Sequence, residues 1–516
     1  MEITRRKFMQ GIAAGGAALT IGAGLAGCAQ GKGAESGASN EASSSTAEVS
    51  GTFEADVVVA GAGMSGLSAA VSAAESGAKV ICIEAGDVTG GNGQGTEGVF
   101  GCGSALQKAA GIDFTLSDVI AKELAFFNYR IDALRWKDLV SATAGNIDWL
   151  MEQGVAFGAV DNYHNQGQLD GFHWFEDGSL KSYIEPMTQR AEELGVEFKM
   201  RTRALEIVMD SGSVSGIRAK TEDGSTIQVN CKAVILATGG YADSDEKLAE
   251  MGVDTSVIVR KGFEHHEGDG IDMATAVGGV DTRRNHCIMR EPGVADYPFE
   301  TPLGAMGVRN GGPFMFVNGQ GERYTNEGCI TGNQAHAANC VLTQKKSFAV
   351  INDECLQWVD ENATQGIYAA AEDAINVGAK AYKAETVEEL AEAIGIDAET
   401  LAGSLKQYNA FCANGTDEDF GKDPSMLLPM EEGPYWAFQH GLFYFSTIGG
   451  IATNRQFEVV DEKDEPIAGL YAVGTDGCEL YRETYTVMVP ASCNANNVNS
   501  GRVAGSEAAA YCGASK

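Results

Sequence analysis

Three glycines with phosphate-binding spacing, Gly61, Gly63 and Gly66, follow the apolar, β-branched run DVVVA. On a strand-to-helix turn the first permits the tight turn and the second lets a pyrophosphate approach the backbone. The third lets the helix pack on the strand. The helix opens with Met64 and Ser65 and runs through SAAVSAAES to Gly77, a natural cap. A second apolar strand, KVICIE, ends in Glu84 and is followed by Ala85. An acid at that strand end can accept hydrogen bonds from both hydroxyls of a ribose. Strand, glycine triplet, helix, strand and acid in this order specify a dinucleotide site, for NAD or FAD alike.

Three further stretches decide between the two. Gly90, Gly91, Asn92 and Gly93 form a second glycine-rich loop just after Glu84. The apolar strand in CKAVILATGG ends in Thr238, Gly239 and Gly240, and another in IAGLYAVGTDG ends in Gly474, Thr475 and Asp476. An NAD site has no use for these extra strand ends, whereas a flavin and its ribityl chain extend beyond the pyrophosphate. Together with HEGDGIDMATAVGG, ERYTNE, LKQYNAF, DEDFG and STIGGI, these motifs resemble the flavoprotein-subunit family of fumarate reductase and succinate dehydrogenase, with its ketosteroid dehydrogenase relatives. The resemblance spans roughly residues 53–512.

That resemblance implies an α/β fold: a two-segment Rossmann-like FAD-binding domain with an inserted α+β capping domain. The expected boundaries are 53–284, 285–432 and 433–516. It adds Ala204 and Asp269 to the cofactor contacts and places a small β-meander over 204–237, where SGS and EDGS read as turns. In the capping segment, Thr386 and Glu389 are spaced as a capping box. Respiratory members attach FAD through a histidine near the second glycine loop. Asn92 stands there instead, which implies noncovalent FAD.

The implied chemistry is reduction of an activated C=C bond, with hydride from flavin N5 to the β-carbon and a proton from a side-chain acid to the α-carbon. Fumarate-reducing members use an arginine shortly after the NE motif and clamp the dicarboxylate with histidines. Here Thr331 replaces that arginine, and Phe445 and Ser446 stand where histidines are expected. Fumarate and succinate are therefore disfavoured, and an α,β-unsaturated acid or ketone is the expected small-molecule substrate. Candidate replacements are Tyr485 as proton donor, Arg482 and Arg309 as substrate-orienting cations, and Tyr297 as a pocket residue. A tyrosine near pKa 10 is closer to useful than an arginine. The resemblance extends to exported flavin reductases of gut anaerobes. A ketosteroid dehydrogenase or ene-reductase, and a flavin electron-transfer or binding protein, are the alternatives.

The N-terminus addresses location. TRRKFM, with Arg5 and Arg6, precedes the weakly apolar GIAAGGAALTIGAGLAG and resembles a twin-arginine signal, which exports folded, cofactor-loaded proteins. LAGC, ending at Cys28, resembles a lipoprotein box, so residues 1–28 read as signal and 29–52 as a disordered tether to a lipid anchor. An exported enzyme would draw electrons from a membrane quinol or a cytochrome rather than from NAD(P)H. The net charge of −34 excludes nucleic acid and anionic lipid surfaces as partners of the globular body. The 12 cysteines contain no C-x-x-C pair, so they specify neither a disulfide scaffold nor a zinc site. An iron–sulfur cluster gathered from distant cysteines stays open as the minor alternative.

Overall fold

Runs of Val, Ile, Leu and Ala too short for helices build the centre of the protein. The computed structural model describes residues 49–514 except 164–168, 261, 263, 284–287, 299–300, 305–311, 332–333, 483 and 486–487. The twin-arginine stretch, Cys28 and tether residues 29–48 lie outside the described residues, as does Arg309. A main sheet collects β1 (Val49–Glu54), β2 (Val57–Ala60), β3 (Val80–Ile83), β4 (Glu197–Lys199), β5 (Thr202–Asp210), β6 (Ser213–Thr221), β7 (Thr226–Asn230) and β8 (Ala233–Leu236). A second sheet takes β9 (Ile258–Arg260), β10 (Ile288–Val294), β11 (Met315–Asn318), β12 (Ser347–Asn352), β13 (Ala381–Ala384) and β14 (Tyr435–Thr447). The chain then returns to the main sheet with β15 (Glu458–Val460) and β16 (Pro466–Ala472).

The main sheet runs β1-β7-β6-β16-β8-β2-β3-β4, with β15 on β16 and β5 on β6. Its centre is parallel: β16 with β8, β8 with β2, and β2 with β3. Strands β2, β3 and β8 are buried along their whole length, as apolar parallel strands covered on both faces must be. Strands β5, β6 and β7 form the meander expected over 204–237. One expectation is corrected. Residues 49–52 belong to β1, an alternating edge strand paired with β7, because an edge ladder needs backbone groups rather than a hydrophobic run.

Helix α1 (Met64–Glu75) covers the parallel strands and packs along α6 (Ser492–Tyr511), the last helix of the chain. Helices α2 (Leu116–Phe126), α3 (Ala133–Glu152), α4 (Asp269–Ala276) and α5 (Gln334–Leu342) lie between them in sequence. Small residues set the α1–α6 distance. A Cβ on Gly501 would collide with the Ser65 carbonyl, and one on Gly505 with that of Ala69. Ser72 reinforces the contact by donating to the Arg502 carbonyl at 2.7 Å.

The second sheet is organised around β14, which pairs with β9, β10, β12 and β13. It reaches beyond 285–432 on both sides, through β9 and β14. Its core holds Phe316, Phe348, Trp436 and Phe438. The expected capping box is formed, since Thr386 and Glu389 exchange both bonds. Beneath the sheet, Arg323 bonds Glu327 at 2.9 Å and Asp417 at 2.7 Å, and Lys422 lies 3.4 Å from Glu327. Burial pushes the Glu327 carboxyl up, but Lys422 and Arg323 outweigh it and hold the group below the usual carboxylate range.

A buried polar chain crosses this sheet. The Tyr324 hydroxyl meets Ser347 Oγ at 2.7 Å, and Ser347 Oγ meets His440 Nδ1 at 2.7 Å. His440 Nε2 is buried with no partner among the described residues, and burial lowers the imidazole to about 3. A base depressed in the folded state contributes stability that is whole above the unfolded pKa, near 6.5, and fades as pH falls toward 3. Denaturant midpoints should therefore drop between pH 7 and pH 5. In His440→Gln that drop should be shallower by the equivalent of about one proton taken up on unfolding.

Candidate active site

The first turn of α1 and the three parallel strand ends beside it form a backbone-lined cradle. Gly61 has φ of 108°, a conformation that suits glycine, and its N–H donates to the Ile83 carbonyl at 2.7 Å. Side chains on Gly61 and Gly66 would strike the carbonyls of Ala237 and Gly61 respectively. Gly63 begins α1 in an extended conformation, and no side chain caps the helix. The amides of the first turn are thus left for an anion. Gly90 joins Gly63 in a β-bridge, and its N–H donates to Ala62 at 2.8 Å. The turn Gly91–Gly95 follows, with Gly93 against Met64.

Glu84 closes the far side. One carboxylate oxygen accepts from the Ala62 N–H at 2.6 Å and the other from Gly86 at 2.7 Å, with Ala85 between them in sequence. Each oxygen retains a lone pair for a further donor. The start of β5 runs alongside, its Thr202 N–H on the Glu84 carbonyl at 2.8 Å. Buried Ala204 follows Arg203, whose guanidinium grips Asp269 with two bonds of 2.7 Å and Glu267 with one of 2.6 Å. Asp269 is the first residue of α4, where a carboxylate is favoured by the helix dipole.

The opposite side is tied by one carboxylate. Asp476, fully buried, accepts from the Thr238 N–H at 2.5 Å, the Thr238 hydroxyl at 2.9 Å and the Gly240 N–H at 2.9 Å. Its backbone carbonyl accepts from Ile451 at 2.7 Å, and Gly270 donates to the Thr238 hydroxyl at 3.0 Å. Burial pushes the Asp476 carboxyl up, against the pull of these donors. Just before it, the Gly474 N–H donates to Ser500 Oγ at 3.0 Å, and Thr475 is half-buried. His266 packs its ring against Gly239 near Gly91, and its backbone N–H donates to Asp243 at 2.9 Å.

Strand β14 delivers its last residues to this cradle. Asn92 Nδ2 donates to the Phe445 carbonyl at 2.6 Å, and the Tyr241 N–H donates to Thr447 Oγ1 at 3.1 Å. Phe445 and Ser446 are both half-buried. The residues proposed for catalysis distribute differently. Tyr485 is 6% exposed and stands edge-on to Tyr481 at 5.2 Å, and the Tyr481 hydroxyl meets Ser492 Oγ at 2.7 Å. Burial raises the Tyr485 phenol above the ordinary tyrosine value, so it holds its proton more tightly than a useful acid would. Arg482 is half-buried beside it in sequence. Tyr297 is not brought to the cradle. It lies in the core of the second sheet with its hydroxyl on Asp373 at 2.9 Å.

Helix α5 contributes residues that sequence reasoning missed. His336 stacks on Phe126 of α2 with ring centroids 5.6 Å apart, and desolvation lowers its pKa. Asn339 donates to Thr484 Oγ1 at 3.0 Å, one residue from Tyr485. Their i, i+3 spacing in NQAHAAN was the available signal. Among the described residues, no group of three or more His, Cys, Asp or Glu side chains is placed to hold a metal.

Residues 56–487 match the family model described as FAD binding domain. The chain belongs to this FAD-binding family. Among its relatives, the vinyl phenol reductase of Lactiplantibacillus plantarum is 30% identical over 88% of this chain and 96% of its own length. The fumarate reductase (cytochrome) of Shewanella frigidimarina is 29% identical over 88% of this chain and 77% of its own. The 3-ketosteroid-Δ4-(5α)-dehydrogenase of Rhodococcus jostii RHA1 superposes with a TM-score of 0.68 at 25% identity, over 90% of this chain and 99% of that one. The cradle fits the cofactor of this FAD-binding family. An uncapped helix start suits the pyrophosphate, and the glycines admit its backbone approach, with Glu84 available to a ribose. Asp476→Asn keeps one acceptor oxygen and turns an NH2 group toward the backbone donor of either Thr238 or Gly240. It should lower unfolding stability by about 2–4 kcal/mol and reduce the FAD released by acid per chain, measured by denaturant titration and fluorescence.

Proposed function

We propose that this flavoprotein is an exported reductase of an activated C=C bond whose electron-poor group is not a dicarboxylate. The observation that carries this reading is the anchoring of Phe445 and Ser446 at the second glycine loop through Asn92. At the place where the resemblance expects carboxylate-clamping histidines, the chain presents an aromatic ring and a hydroxyl. The similarity to a vinyl phenol reductase supports a substrate with an aromatic or otherwise uncharged end. Similarity to a ketosteroid dehydrogenase favours a 3-ketosteroid as the second reading.

Bound FAD, held noncovalently, supplies the hydride. The chain's own part is to position the alkene and to deliver a proton. Arg482, and Arg309 outside the described residues, are the cations assigned to the electron-poor group. Tyr485, buried and with its pKa raised, serves as a wall of the site. Electrons come from a membrane quinol or a cytochrome.

An anaerobic assay with reduced viologen and a panel of 4-vinylphenol, urocanate, a 3-ketosteroid and fumarate tests the substrate class. Turnover of an uncharged or singly charged alkene should exceed that of fumarate by at least ~100-fold, the scale on which a missing polar clamp discriminates. Fumarate as the best substrate would overturn the reading. For location, the double variant Arg5→Lys, Arg6→Lys should stay in the cytoplasm, and Cys28→Ser should be exported but released from membranes. Wild-type fractionation of both variants would refute export by this route.

A further inference from the structure

A cavity of about 260 Å³ lies between α3, α6, the turn before β15 and the segment that follows Asp476. None of the cofactor contacts or of the residues proposed for the reaction lines it. Leu139, Phe457 and Leu480, all buried, give it an apolar wall. Two cations line it, and both are already neutralised. Arg135 Nη2 lies 3.0 Å from Glu479, and Arg455 grips Asp138 with two bonds of 2.5 Å. With two cations and two acids, the lining has no net charge to offer an ion.

Two asparagines of α6 decide the chemistry. Asn496 and Asn499 stand three residues apart, on one helix face, and are 4% and 6% exposed. The Asn496 side chain lines the cavity and has no hydrogen-bond partner among the described residues. Asn499 is oriented by a relay. Arg502 Nη1 donates to Asn146 Oδ1 at 3.0 Å, and an arginine can only donate. The Asn146 amide therefore points its NH2 at Asn499, whose Oδ1 accepts at 3.0 Å. The NH2 of Asn499 is left for the cavity. Buried amide groups without partners are costly, and a ligand that pairs with them is held by the same groups.

We propose that this cavity is a second ligand site, separate from the FAD cradle, for a small uncharged aromatic carboxamide. Asn496 presents a donor and an acceptor side by side, and another amide is their complement. The ligand's carbonyl has a second lone pair for the Asn499 NH2, and its ring lies on the apolar wall. An apolar cavity of ~150 Å³ holds benzene, so this one has room for a ring and its amide. The balanced ion pairs leave a carboxylate of the same shape without a counter-charge.

The test is calorimetric titration of the FAD-loaded full chain with benzamide and nicotinamide, set against benzoate and toluene. Both amides should bind with a Kd of about 1 mM or tighter, and at least ~10-fold more tightly than benzoate or toluene, which cannot pair with Asn496 in this way. Asn496→Leu keeps the side-chain volume and removes the amide. Ala142→Phe fills the cavity from α3 and leaves both asparagines in place. Each should weaken benzamide binding at least ~10-fold, with flavin absorbance per chain as the check on the cradle. The ranking of ligands on the wild-type protein stands whether or not a variant loads FAD. Absence of amide binding at ~10 mM, or equal affinity for benzoate or toluene, would overturn the proposal. So would wild-type affinity in either FAD-loaded variant, which would put the amide elsewhere on the protein.

Discussion

One buried carboxylate holds the cofactor cradle together. Asp476 arrives at the end of β16, a strand contributed by the last part of the chain, and takes its hydrogen bonds from Thr238 and Gly240 at the end of β8. Its backbone carbonyl receives Ile451, so the segment after β14 is fixed to the same point. Burying an ionisable carboxyl is costly unless donors surround it, and here the donors are the backbone amides that set the strand-end geometry. The main sheet is assembled from two distant stretches of sequence, and this residue is where they are joined at the site.

Around that fixed frame the chemistry is set by a few side chains on converging segments. The cradle is lined largely by backbone, and its acids are tied down within it, Glu84 by Ala62 and Gly86 and Asp269 by Arg203. Phe445, Ser446 and α5 lie outside the parallel strands, so a change there leaves the strand ladder itself untouched. A family that contains reductases of such different alkenes is consistent with this separation of frame from reagents.

What could be read from the sequence follows the physics of each feature. The glycine triplet, the apolar strands and the Thr386–Glu389 capping box were legible because each depends on residues close in the chain. The meander over 204–237 was legible from its turns. The surroundings of Tyr485 and Tyr297 were not, because they depend on burial and on neighbours such as Tyr481 and Asp373 that sequence spacing does not reveal. The strand character of residues 49–52 was hidden because β1 owes its form to an edge ladder with β7. His336 was passed over because its partner, Phe126, lies on a helix more than two hundred residues earlier.

Strand β14 has a mechanical consequence. For most of its length it is a member of the second sheet, with neighbours on both edges, yet its final residues are fastened to Asn92 and Tyr241 at the cradle. A rotation of that sheet against the parallel strands would have its fulcrum at Phe445–Thr447, where the two tethers lie. Points at a fulcrum travel least, so in any such rotation Phe445 and Ser446 would hold their distance from Asn92 while residues farther along the sheet swept the larger arc.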